Sequence, residues 1–149
     1  MTTETTAAVR LSGITKRFGA VTANDAVDLD VAPGTIHGII GENGAGKSTL
    51  VSILYGFYQA DEGRIEIDGS PVTIADSVAA IAHGIGMVHQ HFMLVPVFTV
   101  TENVMLGAEG GFTLAPGRAE TRAELARLAE TYGLKVDPDA LVGDLPVGL

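Results

Sequence analysis

Cysteine is absent from the sequence, which excludes disulfide bonds, thiolate metal sites and a cysteine nucleophile. Basic residues are scarce, because 9 Lys and Arg stand against 18 Asp and Glu and the net charge is −9. So acidic a chain is a poor candidate for binding nucleic acid, since that binding depends on cations that neutralise phosphates. No apolar run approaches the roughly 20 residues of a membrane-spanning helix, and the polar tail at residues 1–8 is unlike a signal peptide. We therefore expect any link to a membrane to go through a partner.

What is present is the alternation of an α/β protein, in a chain of 149 residues that is 46% hydrophobic and long enough for one domain with a core. Apolar runs and alternating patterns predict strands at residues 9–14, 26–31, 35–40, 64–68 and 85–88. Helical spacing predicts helices at residues 47–57, 75–84 and 119–133. Strands dominate up to about residue 90 and helices follow. The predicted organisation is a flexible tail at 1–8, an α/β core at 9–96 and a helical subdomain at 97–149.

Local signals mark where several of these elements begin and end. Asp76 can cap the start of the helix that Gly84 ends, and Asp68-Gly69 signals a hairpin. Thr99 and Glu102 have the spacing of a capping box, which predicts that a helix starts after Thr99. In the last helix Leu125, Leu128, Ala129 and Tyr132 share one face, and Gly133 ends it.

The stretch "GIIGENGAGKSTL" at residues 38–50 matches the phosphate-binding pattern G-x-x-x-x-G-K-[ST], with an apolar run before it and a predicted helix after it. Its glycines let successive backbone N–H groups point at phosphate oxygens, and the helix adds a positive N-terminal dipole. Lys47 supplies an ammonium for the β- and γ-phosphates, and the Ser48 hydroxyl a ligand for Mg²⁺. The alternative is an accidental match in a glycine-rich turn, which the flanking elements disfavour. The predicted nucleotide-binding residues of the loop are Gly41, Asn43, Gly44, Ala45, Gly46, Lys47, Ser48 and Thr49.

Several motifs in order resemble the ATP-binding cassette (ABC) family: "GENGAGKSTL", the hairpin "DEGRIEIDG", and "GIGMVHQHFMLVPVFTVTENVMLG" as its Q-loop segment. The resemblance implies that Phe18 stacks on adenine, and that Gln90 touches Mg²⁺ and senses the γ-phosphate. "LVGDLPVGL" resembles the approach to the family's signature motif, which would contact the nucleotide on an opposite cassette. Those signature residues are Leu145, Pro146, Val147 and Gly148. Pro146 replaces the usual serine and offers neither a hydroxyl nor an N–H, which puts symmetric hydrolysis at the two sites in doubt.

The resemblance implies an incomplete P-loop NTPase domain of the ABC type, with a mixed sheet core and a partial helical subdomain. The family's Walker B strand, with its Asp and catalytic Glu, would follow the signature, so we expect the chain to be an N-terminal fragment. Without that strand beside residues 35–40, an apolar edge would stay unpaired.

The wording around Gln90 is similar to importers of simple sugars and nucleosides. This implies an ATPase at the cytoplasmic face of the plasma membrane, using ATP and Mg²⁺, with Lys47 and Gln90 in catalysis. Its partners would be transmembrane permease subunits, a second cassette and, indirectly, a substrate-binding protein. Two alternatives stay open: a soluble ABC ATPase that acts on DNA or ribosomes, and a nucleotide-binding fragment without turnover.

Three histidines, His83, His89 and His91, lie close enough in sequence to raise the possibility of a zinc site. No cysteine or carboxylate joins them at ligand spacing, and two of them flank Gln90. The pattern therefore favours loop residues over a metal centre.

Overall fold

A computed structural model describes residues 6–89, 93–106 and 114–146, with the side chains of residues 114–116 left out of the description. Contacts divide the chain into two compact units, Met1–Val88 and His89–Leu149. The division falls ahead of the join that the sequence predicts after residue 96.

The first unit contains a four-stranded antiparallel sheet with the strand order β2-β1-β3-β4. The strands are β1 (Val9–Phe18), β2 (Val21–Val31), β3 (Glu62–Ile67) and β4 (Ser70–Val72). β1 and β2 form one long hairpin in which Phe18 pairs with Val21, so both strands extend beyond the predicted limits at residues 14 and 26. β3 pairs with the other side of β1 only from Val9 to Thr15, so the end of the hairpin depends on the pairing of β1 with β2.

The turn between β3 and β4 confirms the hairpin predicted from Asp68-Gly69. Both residues have positive φ, 49° and 76°. Two consecutive left-handed residues define the type I′ turn, whose twist matches that of the strands it joins. The sequence signal is therefore explained by the geometry of the turn.

Helices α1 (Lys47–Leu54) and α2 (Ser77–Ala82) also supply core side chains of this unit, and Ile74 comes from the segment between β4 and α2. α1 buries Leu50 and Ile53, as its helical spacing predicts, but it ends three residues before the predicted limit at Phe57, which is exposed. The Asp76 carboxylate accepts the Ala79 N–H at 2.8 Å, which confirms the predicted cap of α2. The buried core comprises Leu11, Ile14, Leu50, Ile53, Ile65, Ile74 and Ala80.

Two predicted strands are wrong for the described chain: residues 35–40 and 85–88 belong to no strand. Ile36, Ile40 and Val88 are almost fully exposed. An apolar run becomes a buried parallel strand only when neighbouring strands take its hydrogen bonds, and the sheet of the described residues provides no such neighbour. The sheet described is accordingly antiparallel throughout, where a mixed sheet is predicted.

The second unit is helical, with α3 (Val100–Met105), α4 (Leu114–Tyr132) and a 3₁₀ turn (Val142–Asp144). The capping box at the start of α3 is confirmed, because Thr99 and Glu102 exchange both hydrogen bonds. Gly133 has φ 67° and follows the last residue of α4, as predicted. Tyr132, in contrast, is largely exposed and does not share the half-buried environment of Leu125 and Leu128. None of the helices in the described ranges is both long and apolar enough to cross a bilayer.

Candidate functional site

The phosphate loop lies between the exposed stretch at residues 35–40 and α1, and its centre is the side chain of Lys47. The Lys47 ammonium donates to the carbonyl oxygens of Gly41 and Glu42, at 2.7 Å each. These two bonds draw the first residues of the loop around the first residue of the helix. An ammonium has three N–H donors, so a third can reach a phosphate oxygen at the same position.

The start of α1 directs further donors to the same place. Ala45 N–H donates to the Glu42 carbonyl at 3.2 Å, which closes the loop ahead of Gly46, and Gly46 caps the helix without a side-chain hydrogen bond. The N–H groups of the first helical turn have no intrahelical acceptors, and together with the helix dipole they favour an anion. The arrangement suits a phosphate held by backbone N–H groups and one ammonium.

Ser48 follows Lys47 in the first turn of α1 and is exposed. Its hydroxyl is therefore accessible to a cation that arrives with a bound phosphate. One hydroxyl is a weak site by itself, and Mg²⁺ is commonly held by few protein ligands together with phosphate oxygens. The residues present fit a metal ion that binds with a nucleotide. In the described part of the chain, no group of three or more His, Cys, Asp or Glu side chains is arranged to hold a metal ion.

Gly46 sits against strand β2, a contact that the sequence motif does not reveal. Its φ is 79°, and a Cβ added there would lie 2.1 Å from the carbonyl oxygen of Ala23. The neighbouring Asn24 side chain donates from Nδ2 to the Gly46 carbonyl at 3.2 Å. In this chain only glycine fits position 46, because φ is left-handed there and the backbone of β2 leaves no room for a side chain.

Phe18, predicted to stack on adenine, ends β1 and is 43% exposed. Its ring packs edge-to-face on Tyr58 with centroids 5.1 Å apart, and the Lys16 ammonium lies 5.5 Å from its centroid. Tyr58 is a residue that sequence reasoning missed, since it belongs to no motif. A half-exposed ring with one edge fixed by a neighbour can still offer a face to a planar base. The adenine role of Phe18 stays a prediction.

Lys16 is held beside Phe18 by Asp61, whose carboxylate accepts its ammonium at 2.9 Å. The Asp61 carboxylate also accepts the Arg17 N–H at 2.6 Å. The bond from Lys16, followed by that from the Arg17 backbone, lowers the pKa of Asp61. Asp61 therefore stays ionised and fixes the cation at the aromatic pair.

The other predicted site residues fall in the second unit or outside the described residues. Gln90, Val147 and Gly148 lie outside the residues that the structure describes. Leu145 and Pro146 follow the 3₁₀ turn and line an apolar cavity of about 510 Å³. The rest of its lining is Leu94, Val100, Asn103, Val104, Leu125, Leu128, Ala129, Leu134, Val136, Pro138 and Val142. The roles predicted for Gln90 and for the signature residues stay predictions.

Curated relatives of the chain are import ATP-binding proteins. The chain is 46% identical over 140 residues to the nucleoside import ATP-binding protein NupA of Lactococcus lactis subsp. cremoris. It is 45% identical over 139 residues to the ribose import ATP-binding protein RbsA 1 of Rubrobacter xylanophilus. The matches cover 94% and 93% of this chain, but only 28% of each relative. The chain thus corresponds to less than a third of the length of these proteins.

Solved structures agree with the sequence comparison. The ADP conformation of an ATP-binding cassette of an ABC transporter superposes with a TM-score of 0.78 at 30% identity, covering 95% of this chain and 60% of that one. A nucleotide-free ATP-binding cassette from an ABC transporter gives a TM-score of 0.77 at 28% identity, covering 94% and 59%. The predicted P-loop NTPase fold of the ABC type is therefore confirmed. Since the family model described as ABC transporter also matches residues 24–148, the chain belongs to the ABC transporter family.

Proposed function

We propose that the chain is the N-terminal, nucleotide-binding part of the ATP-binding subunit of an ABC importer. The observation that carries the proposal is the position of Lys47, fixed by two loop carbonyls at the start of a helix where it can meet a phosphate. The relatives named above, which import a nucleoside or ribose by their names, support sugars or nucleosides as the class of cargo.

In this proposal ATP binds with its phosphates in the loop and Mg²⁺ binds with them. Lys47 contacts the β- and γ-phosphates, the Ser48 hydroxyl holds the metal ion, and the amides from Gly44 to Thr49 surround the phosphate oxygens. The Phe18 ring stacks on the adenine, and Gln90 contacts the metal ion and senses the γ-phosphate. Catalysis then rests on positioning and on electrostatic stabilisation of the transferred phosphoryl group.

The subunit would act at the cytoplasmic face of the plasma membrane, against transmembrane permease subunits that receive cargo from a substrate-binding protein. ATP would be enclosed between this loop and the signature of a second cassette. Leu145, Pro146, Val147 and Gly148 would in turn face the nucleotide of that cassette. These assignments rest on the ABC family membership and on the names of the relatives.

The test is the substitution Lys47→Ala in the full-length subunit, with equilibrium binding of ATP in the presence of Mg²⁺ as the measurement. We expect at least about a tenfold loss of affinity, because a charge-assisted bond to phosphate is removed, together with loss of solute uptake in cells. Lys135→Ala is the matched control, since it removes an exposed lysine of the other unit. If Lys47→Ala binds ATP and drives uptake as well as this control, the proposed function is wrong.

A second measurement addresses the partner class. Affinity purification of the full-length subunit from membranes solubilised in detergent should recover permease subunits in fixed proportion. Recovery of the subunit with ribosomes or DNA instead would favour the soluble ABC ATPases that the sequence leaves as an alternative.

A further inference from the structure

Strand β2 carries an extra residue opposite β1, close to its contact with the phosphate loop. Ile14 pairs with Val27, whereas Lys16 pairs with Asn24. Between these two pairs β1 advances by two residues and β2 by three, which defines a β-bulge. Ala26 lies within the bulge and has the left-handed φ of 46°.

The bulge changes which side chains of β2 face the core. After it, the partly buried positions are Val27, Leu29 and Val31, which alternate at odd numbers. Before it, the buried position is Asn24, which is 6% exposed. Because strand side chains alternate strictly, one extra residue moves the following set to the other face. Without the bulge, strict alternation with Val27, Leu29 and Val31 would put Asn24 on the exposed face of β2. With the extra residue, its amide lies on the buried face instead.

A buried hydroxyl holds the bulge in place. Thr15 is 2% exposed, and its Oγ1 accepts the N–H of Ala26 at 2.9 Å. The left-handed conformation of a non-glycine residue is unfavourable by itself, so it persists here because surrounding bonds fix it. The orientation of Asn24 is therefore built into the hairpin.

The Asn24 amide joins this hairpin to the phosphate loop. Nδ2 donates to the Gly46 carbonyl at 3.2 Å, and the same carbonyl accepts the Leu50 N–H at 2.9 Å, the first bond within α1. Gly46 directly precedes Lys47, so the bond acts on the residue from which the lysine and the first-turn amides extend. The backbone of Ala23 closes the other side of Gly46.

The amide of Asn24 destabilises the fold at this position, because one of its polar atoms is buried without a partner in the described part of the chain. Asn24 Oδ1 is buried and has no hydrogen-bond partner among the residues that the structure describes. A buried acceptor without a partner destabilises a fold, whereas an apolar residue of similar shape carries no such cost. An amide at this position therefore indicates a role for Nδ2 that leucine could not fill.

We infer that Asn24 is a positioning residue of the phosphate loop, which holds Gly46 so that Lys47 and the first amides of α1 are fixed before a nucleotide binds. This inference rests on the proposed function, because it assigns Asn24 a part in nucleotide binding. Fixing the loop in advance removes part of the ordering cost of binding and so raises affinity.

The experiment is Asn24→Leu in the full-length subunit, with thermal unfolding and equilibrium binding of ATP with Mg²⁺ measured side by side. We expect the midpoint of unfolding to stay the same or rise, because the unpartnered acceptor is removed, while the Kd rises about fivefold, the equivalent of one hydrogen bond. Asn24→Asp puts an acceptor opposite the Gly46 carbonyl and should raise the Kd further. Asn24→Ala removes the same bond by a smaller side chain and should also raise the Kd.

Thr101→Val is the matched control. Thr101 is fully buried and donates from Oγ1 to the Pro138 carbonyl at 2.8 Å, so the variant also removes a buried bond from a side chain to a carbonyl. It should lower the midpoint of unfolding and leave the Kd unchanged. If Asn24→Leu and Asn24→Ala bind ATP as tightly as the unaltered protein, or if their loss of affinity only follows their loss of stability, the inference is wrong.

The two proposals fail in different ways. If Lys47→Ala abolishes binding and Asn24→Leu does not change it, the proposed function stands and the role of Asn24 is refuted. If the unaltered subunit does not bind ATP at all, both are refuted.

Discussion

Two sets of apolar segments in the unit Met1–Val88 differ in whether they form paired strands. The strands β1 to β4 pair along their lengths and bury side chains such as Leu11 and Ile14. The run at residues 35–40 is as apolar, yet it is exposed and belongs to no strand. The run at residues 85–88 also belongs to no strand, although Ile85 and Met87 are partly buried. Short turns bring β1 to β2 and β3 to β4, whereas a parallel neighbour has to be brought in by a longer crossover connection. The contrast shows that composition selects a candidate strand and that available partners decide whether it forms.

The phosphate loop adjoins the unpaired run at residues 35–40 in the sequence, but its contacts are with the paired strand β2 and with α1. Its contacts run to β2 through Ala23 and Asn24 and to α1 through Lys47 and Leu50. None of these contacts uses a side chain of residues 35–40. The loop can therefore have its binding geometry while the run that precedes it has no strand partners.

The largest expected effect comes from a matched pair of isoleucines, Ile14 in the core and Ile36 in the exposed run. Ile14→Ala should lower the free energy of unfolding of the chain by about 2–5 kcal/mol, because it leaves a cavity at a fully buried site. Ile36→Ala should change it by less than about 0.5 kcal/mol, since its side chain is solvated. Urea denaturation of both variants measures the difference.

The same pair sharpens the comparison in the full-length subunit. If residues 35–40 gain strand partners there, Ile36→Ala should become nearly as costly as Ile14→Ala, and equal small losses in both contexts would refute that view. A small effect of Ile14→Ala in the chain itself would contradict the core described above.

A second pair compares two glycines around the loop. Gly46→Ala should destabilise the chain by more than about 1–2 kcal/mol, because its left-handed φ disfavours a Cβ, and the Ala23 carbonyl would in addition overlap with that atom. Gly38→Ala, in the exposed run, meets no atom within 4 Å and should be neutral. Thermal unfolding of the two variants gives the test, and equal melting temperatures would contradict the packing of Gly46 on β2.

The smallest expected effect concerns a local device in the second unit. Thr99→Ala removes the cap of α3, in which the Thr99 hydroxyl accepts the Glu102 N–H at 3.2 Å. Loss of such a cap costs about 1 kcal/mol. Urea denaturation should show this loss at neutral pH, and Thr99→Ser should restore most of it. An unchanged stability in the alanine variant would mean that the capping box contributes nothing.

The cap also predicts a dependence on pH. The Thr99 N–H and then its hydroxyl donate to the Glu102 carboxylate, and these bonds lower the pKa of Glu102. A carboxyl group with a lowered pKa in the fold stabilises it above its ordinary pKa, and this contribution is lost as the pH falls through the lowered value. The advantage of the unaltered chain over Glu102→Gln should therefore be present at pH 7 and disappear towards pH 3. A constant difference across this range would argue against the ionised form as the bonded one.

The turns and helix caps that depend on residues close together in the sequence could be predicted from it. The turn at Asp68-Gly69, the cap at Asp76 and the capping box at Thr99 were readable because each depends on residues a few positions apart. The motif around Lys47 was readable for the same reason, since its two carbonyl partners lie five and six residues away. The limits of the elements were less readable: β1 and β2 extend beyond their predicted ends by pairing with each other, and α4 begins at Leu114, five residues before its predicted start.

What the amino-acid sequence determined by itself is the phosphate loop, its helix and the family to which they belong, because all of these depend on short-range spacing. The tertiary structure alone decided which apolar runs became strands, and it brought Asn24 onto Gly46 and Tyr58 onto Phe18. These contacts join residues that lie 22 and 40 positions apart (46 − 24 and 58 − 18). A β-bulge, rather than any periodic pattern, turns the amide inward. Long-range packing has no local signature, and that is the physical reason why the supports of the loop could not be predicted from its motif.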